Sequence, residues 1–269
     1  SNAKDLNLQL TTHAMVRKRK VEVDSQLPEK RRARTFIGGL GAAPKGKELL
    51  NLCHKAMTKN GSVDKALEWL KSRNTETSGA IFAAYHELSA LKAPVCGEMI
   101  KDFCESGESL VVYAHHKKLI STVAAKLSEW NVNFSTITGD TSPNQAQQAV
   151  DDFQGKKVQV ALLSITAAST GITLTAASNM YILEIPFVPG LALQAEDRIH
   201  RHGQTRGVLI NYICAENTLD DKLWESLNRK SKMANSVIDN LKDSAFDAIA
   251  SNGSGWDVVR SMLEQFESP

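Results

Sequence analysis

The chain has 269 residues, 42% of them hydrophobic, enough for a sizeable core arranged as one large domain or two smaller ones. Its net charge of +2 hides an asymmetry: residues 15–34 hold eight Lys or Arg against three acids, and the remainder holds 24 basic against 27 acidic residues. Any electrostatic pull on nucleic acid is therefore concentrated in that arm and in local site geometry. The longest apolar runs, such as Leu110 to Ala114 and Val158 to Leu163, are too short to span a bilayer, and no secretory pattern opens the chain. A soluble intracellular protein without a membrane partner is expected. Cys53, Cys96, Cys104 and Cys214 lack C-x-x-C spacing and zinc-finger histidines, so buried thiols are expected, with no disulfide and no metal centre.

In chain order, Ser1-Asn2-Ala3 has the look of the remnant left when a purification tag is cleaved. Residues 4–46 are basic and punctuated by Gly and Pro, with Gly38 to Pro44 reading as a loop and no core starting there. From Lys47 to Ser106 the apolar spacing is helical, three or four helices in all, with Pro94 placed to open one of them. The pattern then changes to short β-rich runs alternating with amphipathic helices: Leu110–Tyr113 and Lys117–Trp130, Asn133–Thr138 and Pro143–Phe153, Val158–Leu163 and a short helix near Ala167, Met180–Ile185 and Gly190–His202, then Val208–Ile213. Regular alternation predicts an α/β fold with a parallel sheet covered on both faces. A long helical stretch follows Asn217, and Gly253-Ser254-Gly255 precedes a last helix, Trp256–Phe266.

In an open parallel sheet, ligands collect beyond the carboxyl ends of the strands. His115 and His116 follow the first of these strands, Thr138, Gly139 and Asp140 the second, and Ser164 and Thr166 the third. Each taken singly reads as a turn or a cap, and Ser142-Pro143 reads as an N-cap followed by proline at the first helical position. Their shared edge is what favours phosphate binding. Gln194, Arg198 and Arg201 fall on one predicted helix face, where two planar guanidinium groups three residues apart can meet a phosphate. Gly41 to Lys47 matches G-x-x-x-x-G-K, but Glu48 stands where a magnesium-binding hydroxyl belongs and no apolar strand precedes it, so the match reads as a decoy.

The run from Ser164 to Gln204 resembles motifs V and VI of the Swi/Snf-type helicase-like ATPases. Leu110 to Lys117 resembles motif IV, and Ile137 to Asp140 with Phe153-Gln154 resembles the DNA-contact segment that follows it. Gln194-Ala195-Glu196-Asp197-Arg198 and Ala114 to Lys117 are most similar to the annealing helicases of HARP type. Met15 to Val23 and Gln26 to Lys30 resemble the arm between the two motor lobes, and Thr218 to Trp224 with Lys230 the segment after motif VI. The resemblance thus runs from about Val16 to Lys230, with residues 40–105 matching only as a helical insertion.

With the chain's organisation it gives four expected parts: a tag remnant and basic arm over 1–46, a helical insertion over 47–106, a RecA-like C-terminal lobe over 107–245 and a helical tail over 246–269. By the resemblance, Arg198 and Arg201 are arginine fingers, with Gln194, Gly171 and Asp197 beside the nucleotide. His115, Lys117, Thr138, Gly139, Ser164 and Thr166, with Arg31, Arg32 and Arg34 of the arm, would touch DNA phosphates. The full motor would use ATP and Mg2+ held mainly by a first lobe that this chain lacks. It would act on duplex or branched DNA without sequence preference, in a nucleus or, in a prokaryote, at the nucleoid. Four positions depart from the family wording: Ala146 replaces a common arginine, Phe187-Val188 a Trp-Asn pair, and His202 an isoleucine. A non-catalytic DNA- or protein-binding module and an RNA helicase lobe are the rival readings.

Overall fold

The computed structural model describes residues 27–38, 40, 43–240 and 255–267. Six strands form one sheet: β1 (Lys30–Ile37), β2 (Leu110–Ala114), β3 (Phe134–Ile137), β4 (Val160–Ser164), β5 (Asn179–Ile182) and β6 (Val208–Ala215). Their spatial order is β1-β6-β5-β2-β4-β3, and every pairing is parallel. All five residues of β2 and of β4 are buried, as strands covered on both faces must be.

The helices are α1 (Pro44–Asn60), α2 (Val63–Ser72), α3 (Asn74–Cys104), α4 (Lys117–Glu129), α5 (Pro143–Gln154), α6 (Pro189–Ile199), α7 (Leu219–Asn240) and α8 (Gly255–Glu264), with a 3-10 turn at Ile165–Thr170. The Ser142 hydroxyl accepts from the Gln145 amide, and the Gln145 side chain accepts from the Ser142 amide. This reciprocal cap, with Pro143 behind it, starts α5 as the residue types predicted.

Two elements differ from the sequence reading. Lys30–Ile37 forms an edge strand of the sheet, although residues 4–46 read as a basic arm in which no core starts. Register with β6 supplies its backbone bonds, and only Ile37 at its end is buried. Pro94 opens no helix: it sits inside the 31-residue α3, on its exposed side. Packing of α3 against α1 and α4 outweighs the lost backbone bond.

A buried lysine ties helix α3 to the start of α7 by an ion pair and to β6 by a backbone hydrogen bond. The Lys92 ammonium donates to Asp220 Oδ2 at 2.7 Å and to the Ile213 carbonyl at 2.6 Å, and both charged side chains are 1% exposed. The same carboxylate accepts from the Ala215 amide. Burial works against the ammonium, but Asp220 more than compensates, so Lys92 holds its proton above the ordinary lysine value.

Candidate nucleotide and DNA interface

Because the strands are parallel, their carboxyl ends share one edge. The order β5-β2-β4-β3 then places Glu184, His115 and His116, Ser164 and Thr166, and Thr138 and Gly139 in one row along it. The structure thus brings the expected phosphate-contact residues of β2, β3 and β4 together. Lys117, opening α4, pairs with Asp140 beyond β3 at 2.5 Å, both side chains exposed. The Ser164 and Thr166 hydroxyls lie 2.8 Å apart. Thr138 closes its own turn, its amide donating to the Thr141 hydroxyl at 2.9 Å, and Gly139 is exposed with open space around it.

Glu184 organises the β2 end of this row, a role its sequence position did not signal. Its Oε2 accepts the backbone amides of His115 and His116 at 2.6 and 2.8 Å, and its Oε1 lies 2.5 Å from His116 Nδ1. Burial would raise this carboxyl, but the His116 hydrogen bonds outweigh burial and hold it below the usual carboxylate range. His115 is pushed the other way: burial first, then the neighbouring His116 and His86, depress its imidazole despite Glu184. An imidazole whose value falls on folding refuses a proton that the unfolded chain accepts below about pH 6.5. Its stabilising contribution is therefore present above that pH and lost as the pH falls. The midpoint of urea unfolding is expected to drop between pH 7.5 and 5.5, and His115→Asn to flatten that drop. A midpoint constant or rising on acidification contradicts this.

The second group gathers where α6 ends. Arg198 and Arg201 do not share one helix face, because α6 stops at Ile199 and His200 caps it with non-helical backbone. Arg198 lies in the last turn. Arg201 lies past it, with its Nη1 donating to the Gly171 carbonyl at 3.0 Å and reaching the Thr173 hydroxyl at 3.4 Å. Gly171 ends the 3-10 turn at φ 74°, a left-handed conformation that glycine adopts without a Cβ penalty. Gln194 and Asp197 are exposed on α6. Gln204, which motif spacing left without a role, is the buried hub of the turn: its amide group donates to the carbonyls of Ala177, Ile199 and Thr175, and its Oε1 accepts the amides of Thr205 and Arg206.

The arm arginines take other partners. Arg32 grips Glu196 through Nε and Nη2, both at 2.6 Å. Arg34 pairs with Asp221 and stacks its guanidinium 4.2 Å from the Phe36 ring centre. Arg31 is exposed and bonds Glu29. Strands β6 and β5 lie between β1, which carries these three arginines, and the strands β2, β4 and β3 that end in the row.

The G-x-x-x-x-G-K run also resolves in part, Gly41 and Ala42 lying outside the described residues. At the N-terminus of α1, Glu87 Oε2 accepts the amides of Lys45 and Gly46 at 2.8 and 3.3 Å, and Glu48 pairs with the Lys45 ammonium. A carboxylate from α3 thus fills the anion position that a phosphate loop keeps for nucleotide. Among the described residues no group of three or more His, Cys, Asp and Glu could hold a metal ion. Burial lifts the thiols of Cys53 and Cys96 to about 12, which leaves them inert. No described helix is long and apolar enough to cross a membrane.

The Gly171 turn, the end of α6 and the row from His115 to Thr166 all lie within residues 92–203, which match the family described as "Helicase conserved C-terminal domain". The chain carries a helicase C-terminal domain of Swi/Snf type. This helicase lobe is 37% identical over 235 residues to the Xenopus tropicalis protein named "SWI/SNF-related matrix-associated actin-dependent regulator of chromatin subfamily A-like protein 1", covering 87% of this chain and 24% of that protein. It is 33% identical over 269 residues to the human "DNA annealing helicase and endonuclease ZRANB3", covering 97% of this chain and 23% of that protein. The lobe thus spans about a quarter of the length of the curated relatives it matches. The solved "C-terminal part of Fun30 ATPase domain" superposes with a TM-score of 0.59 at 18% identity, over 89% of this chain and 99% of that one, which shows a shared RecA-like fold. Of the positions that depart from the family wording, Ala146 packs against the core and Phe187 packs edge-on to Tyr85 at 4.7 Å, while His202 is exposed.

Proposed function

We propose that this lobe is the second half of an ATP-dependent DNA translocase motor of the annealing-helicase kind, working in the nucleus. Arg198 and Arg201 act as arginine fingers on a nucleotide bound by a first lobe, with Gln194, Asp197 and Gly171 beside it. His115, Lys117, Thr138, Gly139, Ser164 and Thr166 rest on a DNA phosphate backbone. The observation that carries this reading is the Arg201 contact with the Gly171 carbonyl, because it joins the two most motif-like segments of the chain into one place. The bound nucleotide supplies a phosphoryl group for transfer to water. A guanidinium aimed at that group offsets charge that builds in the transition state, and its planar donors suit phosphate oxygens. The chain's own groups do not fit the magnesium and phosphate grip, since Glu87 occupies the α1 terminus; that grip belongs to the first lobe. Along the carboxyl edge, hydroxyls, amides and one exposed lysine hold a strand without reading its sequence.

The 269-residue chain alone is expected to hydrolyse no ATP above background and to bind duplex DNA weakly, and more weakly still as salt rises, because phosphate contacts draw affinity from released counterions. Lys117→Ala combined with Thr166→Ala should weaken that binding and flatten its salt slope. Robust ATP turnover by the chain, abolished by Lys47→Ala, contradicts the reading; so does DNA binding indifferent to salt and to the double substitution.

A further inference from the structure

Glu196 sits on α6 two residues before Arg198, is fully buried, and accepts four donors. Lys30 Nζ reaches its Oε2 at 2.8 Å, Arg32 straddles both oxygens at 2.6 Å, and the Tyr212 hydroxyl donates to Oε1 at 2.7 Å. One turn on, His200 Nε2 lies 2.8 Å from the Pro28 carbonyl. Pro28, Lys30 and Arg32, at and just before the start of β1, therefore hold the end of α6, whose last turn carries Arg198 and leads through His200 into Arg201. The donors more than offset the burial of Glu196, whose carboxyl stays below its ordinary value.

Strand β1 has little else to do at this end. Its residues from Lys30 to Arg32 bury no apolar side chain, so packing does not explain two basic groups converging on one carboxylate. We propose that Lys30 and Arg32, by gripping Glu196, are positioning residues that aim Arg198 and Arg201, so that the segment entering β1 sets the finger geometry. This rests on the arginine-finger reading above. A planar fork fixes direction as well as charge, and the helix end it fixes carries Arg198 and sets where the chain leaves for Arg201. Misplacing a catalytic group by about 1 Å costs on the order of 100-fold.

The test uses the complete two-lobe motor, with Arg32→Gln, Arg32→Lys and Arg201→Ala compared at a temperature well below every melting midpoint. Arg32→Gln should lower kcat for DNA-stimulated ATP hydrolysis by about 10–100-fold, with KM for ATP and Kd for duplex DNA within about threefold of wild type. Arg32→Lys, which keeps the charge, should recover part of the rate. If Arg32→Gln lowers the melting midpoint and leaves kcat intact, the grip only stabilises the fold and the proposal fails. If it weakens DNA binding at unchanged kcat, Arg32 is a DNA contact and the proposal also fails. Normal kcat in Arg201→Ala removes the finger reading, and this proposal with it; a loss in Arg201→Ala alone removes only this proposal.

Discussion

Lys92→Ala is expected to be among the most destabilising single changes in this lobe, lowering stability by about 3–5 kcal/mol. The substitution strands the Asp220 carboxylate, 1% exposed, with the Ala215 amide as its remaining hydrogen-bond donor. It also frees the Ile213 carbonyl and removes three methylenes from the junction of α3 with the sheet. For a domain of this size the loss amounts to about 10 °C in the thermal midpoint. The charge argument can be separated from packing with Lys92→Met plus Asp220→Asn. That neutral pair keeps volume and an acceptor for Ala215, so it should recover most of the loss. A single substitution that melts within about 2 °C of wild type, or a double one no better than the single, contradicts the account.

The sheet from Leu110 to Ile213 was legible because its strands and helices carry their own local signals. Buried runs of Val, Leu and Ile mark β2 and β4, Ser142-Pro143 marks the start of α5, and strand followed by helix fixes parallel pairing. Strand β1 was not legible, since Lys30 to Arg34 reads as a charge run. What makes it a strand is a partner about 180 residues away in β6 and counter-charges on Glu196 and Asp221.

Shorter separations, of 68, 27 and 128 residues, likewise hid Glu184, Gln204 and the Lys92–Asp220 pair, whose roles lie in their contacts. For the candidate site, sheet topology could be inferred and did place His115, Ser164, Thr166 and Thr138 along one edge. Helical spacing misjudged Arg201, because no residue before His200 signals that α6 ends one turn early. Contact with Gly171 nevertheless keeps Arg201 close to the other motif. Sequence pattern therefore foretold which candidate residues share that edge, and tertiary contacts set their surroundings.

Arg201→Ala in the complete motor is expected to cut DNA-stimulated ATP hydrolysis by about 10³-fold or more, the range over which arginine fingers act. Two magnitudes separate this from a structural role. A guanidinium meeting a transferring phosphoryl group works on the transition state and touches the rate, whereas the half-exposed contacts with Gly171 and Thr173 contribute roughly 1 kcal/mol to folding. The decisive measurement is steady-state hydrolysis with saturating duplex DNA, taken with DNA affinity and the melting midpoint of the 269-residue chain. A collapse in turnover, DNA affinity within a few-fold of wild type and a midpoint shifted by only a few degrees are the predicted results. Normal turnover in the motor, combined with a chain that unfolds, would make Arg201 a structural residue and remove this lobe's place opposite the nucleotide.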